Sequence, residues 1–119
     1  GATMVGELRG DDVVEYEIHP EDFGISMAAS RNLRVENSEE SMVLLKEALD
    51  GKDGLPKEIV ALNAGAALYV AGVADTIADG IARAREAIAT GAARARLDTF
   101  VRVTRELAVD AGVEPLQRA

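Results

Sequence analysis

Residues 13–18 alternate in polarity. Val14, Tyr16 and Ile18 fall on one side of an extended chain, and Glu15 and Glu17 fall on the other. That is the period-two pattern of a strand with one covered face. Residues 3–9 form a second short extended run, and Arg9-Gly10-Asp11-Asp12 between the two favours a tight reversal. The pair predicts a β-hairpin over residues 2–19. Pro20 ends it, because proline has no N–H to give to a ladder. Pro20-Glu21-Asp22-Phe23-Gly24 then reads as a turn or a single helical turn, and residues 24–36 carry no regular period.

From residue 37 the period lengthens, and residues 37–108 read as four helices. Asn37-Ser38-Glu39-Glu40 is a helix start, with Asn37 as N-cap and Glu40 at the third position. Met42, Leu45, Ala48 and Leu49 follow at helical spacing, and Gly51 is placed to end that helix in a left-handed conformation. Pro56 sits where the first residue of the next helix belongs. From Ile59 to Val70 that helix is apolar nearly all round, with small residues at Ala61, Ala64, Gly65, Ala66 and Ala67. Such a helix is expected to be buried on most sides, with neighbours approaching closely. Asp75 or Thr76 caps the third helix, whose stripe is Ile77, Ile81, Ala84 and Ile88, and Gly91 breaks it. The last helix spans Ala92 to Ala108, with Leu97, Phe100, Val101, Thr104, Leu107 and Ala108 inward. Residues 109–119, with Gly112 and Pro115, read as a frayed tail.

Charge divides the chain. Residues 1–60 carry 14 acids against 6 bases, a net of −8, and residues 61–119 carry 7 of each. An acidic chain with two Tyr, two Phe and no Trp disfavours nucleic-acid binding, which needs clustered cations and stacking rings. There are no cysteines, so disulfides, thiolate metal sites and Cys nucleophiles are excluded. The apolar run from Ile59 to Ala74 is interrupted by Asn63, Gly65 and Gly72 and is short for a membrane span. The bases of the second half are all Arg: Arg83, Arg85, Arg94, Arg96, Arg102, Arg105 and Arg118. Interleaving with Glu86, Asp98 and Glu106 favours solvated helix faces over a phosphate grip.

Candidate chemistry is sparse. No GxGxxG, P-loop or GxSxG occurs. Asp11-Asp12 suits a solvated turn better than a metal site. Glu21-Asp22 suits the cap of a helical turn. His19, the single histidine, could act as a general base, but alone at a strand end it reads as a structural hydrogen-bonder. Asn63, polar within an apolar helix, reads as a buried amide tethering a neighbouring loop. Tyr16 and Tyr69 read as packing residues. No residue is assigned a catalytic, substrate-binding or metal-binding role.

Three stretches carry a resemblance. They are Thr3-x-Val5-x-Glu7-Leu8 with Glu15-Tyr16-Glu17-Ile18-His19-Pro20-Glu21-Asp22-Phe23-Gly24; Leu44-Leu45-Lys46-Glu47-Ala48-Leu49-Asp50-Gly51; and Leu62-Asn63-Ala64-Gly65-Ala66-Ala67-Leu68-Tyr69-Val70-Ala71-Gly72, leading to Gly80-Ile81-Ala82-Arg83-Ala84 and Gly91-Ala92-Ala93. In this order they resemble the C-terminal third of anthranilate phosphoribosyltransferases, over roughly residues 3–108. The PEDFG and LNAGAALYVAG segments are the specific part. Asn37-Ser38 departs modestly from the Asn-Ala common there and leaves the cap intact.

The resemblance implies an α/β fold: the C-terminal part of the large α/β domain of a nucleoside phosphorylase/phosphoribosyltransferase-type architecture. It implies a parent enzyme, cytoplasmic and homodimeric, that uses magnesium, phosphoribosyl pyrophosphate and anthranilate in tryptophan biosynthesis. The family's GTGGD phosphate loop, its later Asn/Ser/Thr-rich and Lys-bearing stretch, its anthranilate-binding Arg and its magnesium-binding Asp-Glu pair match nothing here. The expectation is therefore a C-terminal segment starting just after that pair, which would also account for Gly1 in place of an initiator Met. On this reading the chain is structural, binds no magnesium itself, is inactive alone, and has the rest of the same polypeptide as its partner, with no nucleic acid and no membrane. A pyrimidine nucleoside phosphorylase segment and a non-catalytic scaffold module remain as alternatives.

Overall fold

The structure, a computed structural model, describes residues 1–27 and 30–113. It is a two-stranded antiparallel hairpin followed by four α-helices. Strands β1 (Thr3–Arg9) and β2 (Asp12–Ile18) pair from Thr3↔Ile18 to Arg9↔Asp12. Gly10 opens the two-residue turn at φ 60° while Asp11 keeps a negative φ, which is the reason glycine is favoured first in this kind of turn. Val5, Glu7, Val14, Tyr16 and Ile18 make the half-buried face. Glu15 and Glu17 lie on the exposed face, together with Met4, Leu8 and Val13.

A 3-10 turn at Pro20–Phe23 follows, closed by Gly24 at φ 76°. Asp22 Oδ2 accepts from the His19 N–H at 2.9 Å. The stretch expected to be irregular contains a second 3-10 turn, Ser30–Leu33, and a fully buried anchor, Ile25. Helix α1 (Ser38–Leu49) starts as expected: Asn37 Oδ1 accepts from the Glu40 N–H at 2.8 Å, and Glu40 reaches back to the Glu36 N–H at 2.9 Å. Gly51 follows it at φ 84°.

Helix α2 (Leu55–Val70) begins one residue before Pro56. The first four N–H groups of a helix have no internal partner, so proline is tolerated at the second position as well as the first. Helix α3 (Ile77–Ala89) is capped by Thr76, whose Oγ1 accepts from the Asp79 N–H at 3.0 Å. Its buried stripe is Gly80, Ile81, Ala84 and Ile88. Helix α4 (Ala92–Asp110) follows Gly91 at φ 81°, and it continues two residues past the expected end. Residues 114–119 of the expected tail lie outside the described residues.

The centre of the fold is the α2–α3 crossing. Ala61, Ile81 and Ala84 form its core, with Phe23, Leu62, Ala64 and Ile77 packed against them. Gly65 and Gly80 meet backbone to backbone. A Cβ on Gly65 would lie 2.5 Å from Ile81 N, and one on Gly80 would collide with the Gly65 carbonyl oxygen. Small residues in α2 thus do allow close approach, but the burial expected around the helix is corrected. Only Leu55, Ala61 and Gly65 are buried, and Val70 is 84% exposed. The reason is the number of neighbours: α3 covers α2 most, α1 and the second 3-10 turn cover it less, and Asn63, Ala67 and Val70 are left exposed.

Helix α4 departs further from expectation. No residue of it is buried. Leu97, Val101 and Ala108 are half-buried, while Phe100 (66% exposed), Thr104 and Leu107 face away from the rest of the chain. Phe100, Val103, Thr104 and Leu107 are themselves spaced as one helical stripe. Two apolar stripes thus share one helix, and the chain covers one of them. Three of the second-half arginines pair with carboxylates. Arg85 bonds Glu58 across α2–α3 at 2.5 Å, Arg94 reaches Asp50 at 2.7 Å, and Arg102 bonds Glu106 at 3.2 Å.

Candidate functional site

The densest polar constellation among the described residues is built on Glu7. Strand alternation puts Glu7 on the half-buried face of the hairpin, diagonal to Tyr16 across the Val5↔Tyr16 and Glu7↔Val14 pairs. Tyr16 Oη donates to Glu7 Oε1 at 2.7 Å. Arg9 Nε donates to Oε2 at 2.6 Å, and its guanidinium stands 5.9 Å from the centre of the Tyr16 ring. Tyr69 Oη, on the last turn of α2, donates to Oε2 at 2.9 Å. The Glu7 side chain is 18% exposed. The two tyrosines expected only to pack therefore also donate hydrogen bonds, and Tyr69 ties the hairpin to α2.

These donors fix the chemistry of the carboxylate. The Arg9 hydrogen bond, then that of Tyr16, outweigh partial desolvation, and with Tyr69 they hold the Glu7 carboxyl down at about 2. The same bond to Glu7 pushes the Tyr16 hydroxyl above its usual range. A carboxylate ionised throughout the neutral range and engaged by three donors is a poor proton acceptor; it serves as a strut. Its folded pKa is depressed, so its stabilisation is fully present above the unfolded value near 4.5 and is lost as pH falls toward about 2. Thermal melts between pH 7 and pH 2 should show Glu7→Gln less stable than the parent at neutral pH, with the two curves converging in acid. A constant gap across that range would rule the strut out.

The other sequence candidates do not join this cluster. His19 is exposed, with Nε2 3.8 Å from Glu17 Oε2. Asp11 and Asp12 lie exposed at the hairpin turn, and Glu21 and Asp22 lie in the first turn of the 3-10 segment. Asn63 is corrected: it is exposed, and its amide donates to Ile59 O of its own helix at 3.0 Å. Among the described residues it tethers no neighbouring loop. Among the described residues no group of three or more His, Asp or Glu could hold a metal ion, and no helix is long and apolar enough to cross a membrane.

Residues 1–94 match the family described as "Glycosyl transferase family, a/b domain". The chain belongs to this glycosyl transferase family. The match takes in the hairpin and the first three helices, and ends near the start of α4. Among similar proteins is one named "Anthranilate phosphoribosyltransferase" from Xanthomonas axonopodis pv. citri (strain 306), 64% identical over 107 residues, which are 90% of this chain and 31% of that protein. The protein of the same name from Janthinobacterium sp. (strain Marseille) is 64% identical over 106 residues, covering 89% of this chain and 31% of its own length. That from Ralstonia pickettii (strain 12J) is 60% identical over 105 residues, covering 88% and 30%. The chain spans about a third of the length of these glycosyl transferase relatives.

Proposed function

We propose that this chain works as a structural part of an anthranilate phosphoribosyltransferase, the enzyme that joins anthranilate to the phosphoribosyl group of phosphoribosyl pyrophosphate in tryptophan biosynthesis. The observation that carries the reading is the 64% identity to proteins of that name over 90% of the chain. The reaction must stabilise a departing pyrophosphate and an electron-poor sugar carbon, which calls for cations and aimed backbone donors. The described residues offer neither a phosphate loop nor a free carboxylate cluster. Magnesium does not fit them: no metal-ligand group is present among them, and Glu7 already accepts from Arg9, Tyr16 and Tyr69. In this proposal the reacting groups and the magnesium ligands lie elsewhere in a cytoplasmic, homodimeric parent.

The chain's own contribution is the C-terminal part of the large α/β domain, a rigid α2–α3 pair with a hairpin strutted onto it. The exposed Met4, Leu8 and Val13 of the hairpin and Phe100 and Leu107 of α4 are surfaces that the rest of that domain would cover. The test is reconstitution. With anthranilate, phosphoribosyl pyrophosphate and magnesium, the purified chain should form no phosphoribosyl-anthranilate. Supplying the remainder of the transferase as a second polypeptide should restore formation. Turnover by the chain alone would overturn the structural role, and failure of a correctly assembled pair to turn over would overturn the assignment.

A further inference from the structure

Helices α1 and α4 flank an open groove of about 370 Å³, lined by Met42 and Lys46 of α1 and by Leu97, Asp98, Val101, Arg102, Arg105 and Glu106 of α4. Its size lies in the range of roughly 300–1,000 Å³ typical of small-molecule sites. Three of the lining charges are paired: Asp98 accepts from Arg94 at 3.3 Å, and Glu106 accepts from Arg102 at 3.2 Å. Lys46 and Arg105 are different. Both are half-buried, and neither side chain has a hydrogen bond or ion pair among the described residues. In a chain of net charge −8, two side-chain cations without a partner lining one groove are a local reversal of sign. An anion seated between them would gain charge-assisted hydrogen bonds from both, which are stronger than bonds between neutral groups.

We propose that this groove binds a small organic anion, with its charged head between Lys46 and Arg105 and its apolar body on Met42, Leu97 and Val101. The site is separate from the Glu7 strut; binding to the chain itself does not rest on the transferase reading, and only the arm with the longer polypeptide does.

The probe is naphthalene-2-carboxylate, with 2-naphthalenemethanol as its uncharged counterpart. Each is titrated into the chain by NMR, and again into the longer transferase polypeptide that contains it. The carboxylate should bind in the millimolar range or tighter, shifting the Met42, Leu97 and Val101 methyl signals. Lys46→Gln and Arg105→Gln should each weaken it about tenfold, the size expected for losing a hydrogen bond to a charged group. Added salt should weaken the carboxylate and leave the alcohol unchanged, a readout that needs no variant to fold. Equal binding of acid and alcohol would overturn the proposal. So would shifts centred on Phe100 and Leu107, or loss of binding in the longer polypeptide, which would mean that protein fills the groove.

Discussion

Gly80→Ala should cost about 3 kcal/mol or more, among the most damaging single-methyl additions the chain can receive. The added carbon falls on the Gly65 carbonyl oxygen and within 2.9 Å of Gly65 C and Cα. All three are backbone atoms, so no side chain can rotate aside. The only relief is to part α2 from α3, which uncovers Ala61, Ile81 and Ala84 together. Gly65→Ala meets the same wall from the other side, at Ile81 N and Cα. The double variant should then cost less than the sum of the two, because the helices have already separated. Gly6→Ala is the control: its Cβ would meet only Val13 Cγ1 at 3.8 Å, and a change within about 0.5 kcal/mol is expected. Denaturant unfolding followed by circular dichroism measures all four. A Gly80→Ala midpoint equal to that of Gly6→Ala would show that the crossing is looser than described.

Ile81→Ala should cost about 2–5 kcal/mol, with Ile81→Val near 0.5–1.5 kcal/mol. Ile81 is 2% exposed and sits between the α2 backbone and the core alanines. Its neighbours are small and already in contact at Gly65, so they have little freedom to close over the space a shorter side chain leaves. The residual cavity should therefore stay open and place the alanine variant toward the upper end of that range. Total stabilities of single domains are only about 5–15 kcal/mol, so the variant should also lose solubility at physiological temperature. Equal midpoints for the valine and alanine variants would mean that the core collapses freely around position 81.

Local structure was legible wherever a residue acts on its own backbone. The cap at Asn37 and the left-handed turn at Gly51 follow from side-chain reach and from the absence of a Cβ, whereas the choice of Thr76 over Asp75 at the start of α3 does not. The stripes of α1 and α3 follow from spacing alone. What escaped depends on residues far apart in sequence. Tyr69 was legible as a packing residue, but its partner Glu7 stands 62 residues away, and no local period announces that bond. Burial around Asn63 was overestimated because composition reports how apolar a helix is, not how many neighbours it has. The two stripes of α4 show the same limit: the pattern marks both faces as apolar, and packing alone decides which the chain itself covers. The family was legible from motifs, whereas the groove cations depend on which charges find partners.

Helix α4 differs from its neighbours in a way that bears on local opening. With no fully buried side chain along 19 residues, its retention rests on half-buried contacts and on ion pairs that contribute little at an exposed surface. The free energy needed to release it should therefore be a fraction of that needed to part α2 from α3. Amide protons should exchange along α4 well before those at the glycine crossing. A protease should nick the chain there before it cuts within the α2–α3 pair.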